Sequence, residues 1–169
     1  NHDCVVMTDC DMLCNIDYRD VIDYHIESGA DITAVYAEEK LNKARSVHSI
    51  LYQVSESGRV VDVSLYPEVD GTFLTSLNTW VMSKEYLLKL VADSQSHGLT
   101  KFSRDILATN CSHIKIMGYH YQGYRGHIES LESYLECNLD MLDLEKRNAL
   151  FCRPIYTNVR DTKPTRYGN

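Results

Sequence analysis

The sequence predicts an α/β domain with a mainly parallel sheet, and three observations support this class. Residues 4–7 are a short apolar run bounded by acids, residues 18–28 have a helical apolar period, and residues 31–37 are rich in β-branched side chains. A strand, a helix and a strand within ~30 residues form a βαβ unit, whose two strands run parallel. The 169 residues are 44% apolar and 24% charged, which is typical of a globular chain.

The helix of this βαβ unit has recognisable ends. Asp17 is a suitable N-cap for the helix at 18–28, and Gly29 follows as its C-terminal cap. The segment 38–46 is charged and has no periodicity, so it predicts a loop.

A β-hairpin is predicted next, as an insertion between strands 49–54 and 60–66, with Gly58 supplying the positive φ of its turn. A longer strand at 73–82 leads through Ser83, an N-cap, into a helix at 84–93.

The last third of the chain predicts a short helix at 102–109, one or two strands in and after 114–121, and two C-terminal helices. Ser130 caps the first of these, at 131–139, and we expect Leu131, Tyr134 and Leu135 to face inward. The second covers 144–151, and from residue 153 the chain reads as an extended connector.

The charge balance excludes several classes of partner. Seventeen Lys and Arg against 24 Asp and Glu give a net charge of −7. An acidic chain is unsuited to nucleic acid or to an anionic membrane surface. No apolar run approaches the ~18 residues of a membrane span, and no signal-peptide pattern opens the sequence. We therefore expect a cytoplasmic protein without nucleic-acid or membrane partners.

The six cysteines include no C-x-x-C pair, which favours reduced, mostly buried thiols. Cys10 and Cys14 lie close to Asp9 and Asp11, so a thiol or metal-binding module is an alternative hypothesis.

The densest polar cluster, Thr8-Asp9-Cys10-Asp11, comes directly after the first strand. Ligands of open α/β sheets bind outside the carboxyl ends of the strands, and carboxylates there can hold Mg²⁺ together with substrate phosphates. The same acids could equally shape the loop through Asx turns. No Gly-rich phosphate loop occurs in the sequence.

Several stretches resemble one enzyme family, glucose-1-phosphate adenylyltransferase (ADP-glucose pyrophosphorylase). They are NIDY at 15–18, GADITAVY at 29–36, SLNTWVMSK at 76–84, ESYLECNLDML at 132–142, and the connector segments at 153–157 and 163–168. Their order along nearly the whole chain matches the family, and the sequence is most similar to the regulatory-type second subunit of some bacteria.

The resemblance implies a fold and a domain arrangement. Residues 1–152 correspond to the C-terminal half of the Rossmann-like nucleotide-diphospho-sugar transferase domain, and residues 153–169 to a linker toward a left-handed β-helix that this sequence lacks. The half domain would have an open sheet edge, where association is expected. The partner implied is a catalytic subunit of the same enzyme, in a homo- or hetero-oligomer.

The resemblance also assigns candidate catalytic residues. Catalytic members hold Mg²⁺ with two aspartates, and the first of these maps to Cys10 or, with a shifted gap, to Asp11. The second maps to His127, with Glu129 nearby. Asp11 and Glu129 are thus the catalytic candidates and Asp11 the candidate metal ligand, whereas Cys10 and His127 are poor ligands for a hard dication.

The resemblance also implies which residues contact the substrate. Ser76 stands where the family contacts glucose, Asn78 replaces a glycine and is expected to crowd the pocket, and Tyr66 replaces the lysine that neutralises the sugar phosphate.

Two functions follow from the resemblance. In the first, the chain is a regulatory, non-catalytic fragment of an enzyme that makes ADP-glucose and pyrophosphate from ATP and glucose-1-phosphate in glycogen synthesis. In the second, the full-length chain is a competent nucleotidyltransferase that uses Asp11 and Glu129.

Overall fold

A six-stranded sheet dominates the first of two compact units into which the chain divides. The computed structural model describes residues 3–97 and 102–155. The first unit comprises Asn1–Asp9 and Asp17–Gln122, and the second comprises Cys10–Ile16 and Gly123–Asn169. The predicted connector at 153–169 lies almost entirely outside the described residues, and the boundary after residue 152 stays a prediction.

The strands and helices have the following bounds. The strands are β1 (Cys4–Thr8), β2 (Met12–Cys14), β3 (Ile32–Leu41), β4 (Ile50–Val54), β5 (Val60–Leu65), β6 (Gly71–Ser83), β7 (Ile116–His120) and β8 (Arg125–His127). The α-helices are α1 (Tyr18–Ser28), α2 (Lys43–Ser46), α3 (Lys84–His97), α4 (Leu131–Asp140) and α5 (Leu144–Leu150), and a π-helix covers Phe102–Ala108.

The sheet confirms the α/β class, and its topology is mixed. Its order is β5-β4-β6-β3-β7, with β1 also paired to β6. Strands β1, β3 and β4 are each antiparallel to β6, and β7 is parallel to β3. The two strands of the βαβ unit therefore run in the same direction, as predicted, but β6 lies between them.

The local signals of the first unit match the structure. The Asp17 side chain accepts a hydrogen bond from the Arg19 amide at the start of α1. The hairpin of β4 and β5 turns at Gly58, whose φ is +81°. The Ser83 hydroxyl accepts a hydrogen bond from the Tyr86 amide at the start of α3.

Two segments differ from the sequence prediction. The strand β3 continues to Leu41 and α2 follows it, where we expected a loop over 38–46. Strand β2 was not predicted at all. In both cases pairing with a distant strand decides the conformation, since β3 pairs with β6 as far as Leu41 and Gly71, and β2 pairs with β8.

The predicted inward face of α4 is wrong. Leu131, Tyr134 and Leu135 are exposed, and Ser133 and Cys137 are the buried residues of the helix. The reason is the packing of α4 against β8 at Gly126, where an added Cβ would overlap with the Cys137 sulfur. Only small side chains fit such a close approach, so the larger ones lie on the opposite side.

The core of the first unit lies between the sheet, α3 and the π-helix. Its buried side chains include Ile32, Trp80, Met82, Leu107 and Ile116. Helix α1 places His25 in a buried position, where Nδ1 lies 2.9 Å from the Thr33 hydroxyl. In the described ranges, no helix is long and apolar enough to cross a membrane.

Candidate functional site

The pairing of β2 with β8 brings the two catalytic candidates into one unit. Met12 is opposite His127. At the neighbouring position of the two strands, the Ile128 amide donates a 2.8 Å hydrogen bond to the Asp11 carbonyl. Glu129 lies two residues before α4, and its amide donates to the Ser133 hydroxyl. Asp11 and Glu129, which are 118 positions apart in the chain numbering, are thus placed on either side of His127.

The His127 ring has a carboxylate at each nitrogen. Its Nε2 lies 3.2 Å from Asp11 Oδ2, and its Nδ1 lies 3.7 Å from Glu129 Oε2. About a fifth of the His127 and Glu129 side chains is exposed (21% and 22%), compared with 40% for Asp11. The second oxygen of Asp11, Oδ1, is buried and has no hydrogen-bond partner among the described residues.

These side chains do not fit Mg²⁺. A hard dication needs several oxygen ligands directed at one point, and it usually takes one or two of them from carboxylates. Here the imidazole occupies Oδ2 of Asp11 and separates this residue from Glu129. Across 3–93 and 102–155, no three His, Cys, Asp or Glu side chains are arranged to hold a metal ion.

Cys10 and Cys14 receive no support as a metal-binding pair. Cys10 is exposed, whereas Cys14 is partly buried and this burial raises the pKa of its thiol. A thiol must lose its proton to bind a metal, so the raised pKa of Cys14 disfavours that role.

In the first unit, Ser76 belongs to a buried hydrogen-bond chain. Trp80 Nε1 donates to the Tyr52 hydroxyl at 3.1 Å, and that hydroxyl donates to Ser76 Oγ at 2.9 Å. Ser76 Oγ also accepts from the Asn78 amide at 3.0 Å. Burial of the phenol raises the pKa of Tyr52, so its hydroxyl keeps its proton and its role as donor to Ser76.

Asn78 lies in a bulge of β6. Val35 pairs with Thr79 and the next residue of β3, Tyr36, pairs with Ser76, so Leu77 and Asn78 are extra residues on the β6 side. Asn78 has a φ of +48°, a left-handed conformation that glycine adopts freely and asparagine adopts more readily than most residues. The bulge therefore gives the physical reason why Gly or Asn suits this position.

Tyr66 is also left-handed, with a φ of +52°. It follows β5 and its amide donates to the Ser49 carbonyl at 2.9 Å, while its side chain is half exposed. Within the described ranges, Tyr66 and Asn78 are the two non-glycine residues with positive φ. Strained backbone of this kind concentrates at functional sites, and both residues are among the predicted substrate contacts.

Strand register brings these residues to neighbouring positions in the sheet. Leu51 of β4 is opposite Thr75 of β6, and Ile50 is opposite Leu65 of β5. Adjacent strands are ~4.8 Å apart, so the end of β5 at Tyr66 lies two strands, or ~10 Å, from the Ser76 region.

The predicted residues thus form two groups. Ser76, Asn78 and Tyr66 belong to the first unit, and Asp11 and Glu129 to the second. Sequence reasoning missed the role of Tyr52 and Trp80 as the buried support of Ser76. The apolar run at 50–52 was the signal for a buried aromatic residue, but only the fold shows which hydroxyl Tyr52 contacts.

Three relatives found by sequence comparison share one name. No protein-family model matches the chain. It is 27% identical over 93% of its length to a glucose-1-phosphate adenylyltransferase of Thiobacillus denitrificans. It is 26% identical to enzymes of the same name from Thermotoga neapolitana, over 82% of the chain, and Geobacillus stearothermophilus, over 99%.

The chain is similar to glucose-1-phosphate adenylyltransferases. It spans less than half of the relatives' own length, namely 39%, 33% and 44% of the three proteins. These relatives support the resemblance that the sequence motifs indicated, without distinguishing a regulatory subunit from a catalytic one.

A solved structure supports the fold. The crystal structure of HddC from Yersinia pseudotuberculosis matches with a TM-score of 0.61 at 17% identity, over 79% of this chain and 53% of that one. At this identity the likeness concerns the fold alone, and it agrees with the predicted α/β class.

Proposed function

We propose that this chain is part of a glucose-1-phosphate adenylyltransferase subunit of the regulatory type, which does not itself transfer the adenylyl group. The parent reaction makes ADP-glucose and pyrophosphate from ATP and glucose-1-phosphate, in glycogen synthesis in the cytoplasm. The observation that carries this proposal is the His127 ring between Asp11 and Glu129. Because the ring separates the two carboxylates, they do not converge on a cation.

The contribution to catalysis that these residues lack is the neutralisation of phosphate charge. In phosphoryl-type transfer a bound Mg²⁺ neutralises charge on the phosphates. Tyr66, at the position where the resemblance implies a phosphate-binding lysine, is a neutral side chain. The residues at positions 11, 66 and 129 therefore provide neither a Mg²⁺ site nor a lysine to balance the phosphate charge.

The predicted sugar contact in the first unit is better preserved. Ser76 Oγ accepts hydrogen bonds from the Tyr52 hydroxyl and the Asn78 amide, which leaves its own proton for a ligand oxygen. Ser76 is only 9% exposed and is held by these hydrogen bonds, so the orientation of its hydroxyl is fixed before a ligand binds. We propose that it contacts the glucosyl group of a nucleotide sugar or a sugar phosphate, with the half-exposed Tyr66 two strands, or ~10 Å, away.

The partner we propose is a catalytic subunit of the same enzyme, in a hetero-oligomer or an oligomer of related subunits. Such a subunit would supply the Mg²⁺ site, and the present chain would supply scaffold and a reduced sugar site.

A second candidate function is a competent nucleotidyltransferase that uses Asp11 and Glu129. The observation in its favour is the buried Oδ1 of Asp11, which has no hydrogen-bond partner in the described part of the chain. An unpaired buried carboxylate oxygen is costly, and a bound cation is one way to satisfy it.

Pyrophosphate release separates the two functions. The native polypeptide that carries this segment is assayed with ATP, glucose-1-phosphate and Mg²⁺, alone and with a catalytic subunit. We expect no turnover alone, and a Ser76→Ala variant with weaker ADP-glucose binding. The second function would be established instead if the polypeptide alone turns over and Asp11→Asn abolishes this activity. The control is Glu56→Gln in the exposed hairpin turn, which should preserve it.

A further inference from the structure

The buried hydrogen-bond chain at Ser76 has a fixed direction, because a group that can only donate stands at each end of it. At one end, Trp80 Nε1 donates to the Tyr52 hydroxyl at 3.1 Å. At the other end, the Asn78 amide donates to Ser76 Oγ at 3.0 Å. The Tyr52 and Ser76 hydroxyl groups, 2.9 Å apart, therefore lie between two donors.

The position of the phenol proton follows from burial. Tyr52 is only 4% exposed, and Ser76 Oγ is the acceptor that the described residues offer to its hydroxyl. If Ser76 donated to Tyr52 instead, the phenol proton would be buried without an acceptor, which costs free energy. The Tyr52 hydroxyl therefore donates to Ser76, and not the reverse.

Ser76 is left with a proton to donate and with no free acceptor position. Both lone pairs of its Oγ are used, one by the Tyr52 hydroxyl and the other by the Asn78 amide. None of the described residues accepts a hydrogen bond from Ser76. Because Ser76 is only 9% exposed, an unpaired donor there is unfavourable, and an acceptor atom of a ligand would satisfy it.

We propose that Tyr52 is a positioning residue that makes the sugar site selective for acceptor groups, because it holds the Ser76 hydroxyl as a donor only. A sugar hydroxyl can accept the Ser76 proton, whereas the ammonium group of an amino sugar carries donors alone. The site therefore takes a sugar with a hydroxyl at the matching position and rejects the corresponding amino sugar. This inference rests on the proposed function, in which Ser76 contacts the glucosyl group.

The test uses glucose-1-phosphate and analogues in which one sugar hydroxyl at a time is replaced by a protonated amino group. Isothermal titration calorimetry measures the dissociation constant of each ligand for the native polypeptide that carries this segment. We expect one analogue to bind at least about tenfold more weakly than glucose-1-phosphate, because its ammonium group faces the Ser76 proton. We call the quotient of these two dissociation constants the selectivity ratio.

Tyr52→Phe separates a positioning role from a structural one. Without the phenol, one acceptor position of Ser76 Oγ is free, so the hydroxyl can turn and accept from the ammonium group. The selectivity ratio should therefore fall several-fold. A variant that merely loosens the fold would weaken both ligands alike and leave the ratio unchanged.

Matched variants serve as controls. Tyr24→Phe also removes a tyrosine hydroxyl from the first unit, one that donates to the Gly118 carbonyl at 3.1 Å, and it should leave the selectivity ratio unchanged. Ser76→Ala should lower the ratio as Tyr52→Phe does, and the two changes together should lower it no further.

Thermal melts verify that each variant is folded. Tyr52→Phe leaves Trp80 Nε1 without its acceptor, so the double change Tyr52→Phe and Trp80→Phe takes its place if the single variant is too unstable to titrate. The double variant removes the unpaired indole donor as well, and its selectivity ratio should fall in the same way.

Three results would contradict the inference in distinguishable ways. A ratio that Ser76→Ala lowers and Tyr52→Phe does not would overturn the role of Tyr52 and leave the proposed function standing. Equal binding of all the ligands by the wild type would also overturn that role, and would mean that another part of the polypeptide accepts the Ser76 proton. No binding of glucose-1-phosphate or ADP-glucose by the wild type would overturn the proposed function together with this inference.

Discussion

His127 Nε2 lies 3.2 Å from Oδ2 of Asp11, so the imidazole occupies one of the two carboxylate oxygens of this residue. We predict that wild-type protein does not bind Mn²⁺ stoichiometrically and that His127→Asp gains such binding. The reason is that a carboxylate replaces the ring beside Asp11, and hard dications prefer oxygen ligands. The electron paramagnetic resonance signal of free Mn²⁺ measures the binding.

The control for this prediction is His113→Asp, which makes the same change at an exposed histidine of the first unit. The gain in His127→Asp should disappear when Asp11→Asn is added. Mn²⁺ binding by the wild type that Asp11→Asn removes would contradict the prediction.

Tyr52→Phe tests the buried chain that supports Ser76. Without the phenol oxygen, Trp80 Nε1 loses its acceptor and Ser76 loses a donor in the core. We expect the free energy of unfolding to fall by about 1–3 kcal/mol. Urea denaturation measures it, and Tyr66→Phe at a half-exposed position should change it by less than about 0.5 kcal/mol.

The left-handed conformation of Asn78 predicts a characteristic pattern of substitutions. Asn78→Ala should cost about 1 kcal/mol of stability, because a Cβ without a compensating polar group is disfavoured at a φ of +48°. Asn78→Gly should be close to neutral. Thermal melts compare the two, and an Ala variant as stable as the Gly variant would mean that the bulge relaxes to a negative φ.

Gly126→Ala should destabilise the second unit by about 1–3 kcal/mol, because the added methyl group overlaps with the Cys137 sulfur. A double-mutant cycle with Cys137→Ala provides the check. The cost of Gly126→Ala should be much smaller in the Cys137→Ala background, since the sulfur is absent there. Additive costs would place the strain elsewhere.

The buried His25 predicts loss of stability in acid. Burial lowers the pKa of His25 in the folded protein, and the nearby Asp31 carboxylate only partly opposes this. The unfolded chain then binds more protons, so stability is full above pH ~6.5 and falls as the pH drops below it. Urea titrations between pH 5 and 7.5 should show a shallower slope for His25→Asn; an unchanged slope would contradict the assignment.

Local signals predicted much of the first unit. Asp17 and Gly29 mark the ends of α1, and Gly58 marks the hairpin turn, because capping and turn chemistry act within a few residues. Strand β2 and the end of β3 were not predictable in this way, since their conformation depends on partners far along the chain.

The candidate site shows the same division. Composition and motifs were enough to indicate the α/β class, the resemblance to glucose-1-phosphate adenylyltransferases and the residue types at positions 11, 127 and 129. The folded chain was needed to show that His127 stands between the two acids, that Tyr52 and Trp80 hold Ser76, and that the leucines of α4 face outward. Periodicity indicates that a helix has an apolar side, whereas close packing at Gly126 selects which side faces the protein.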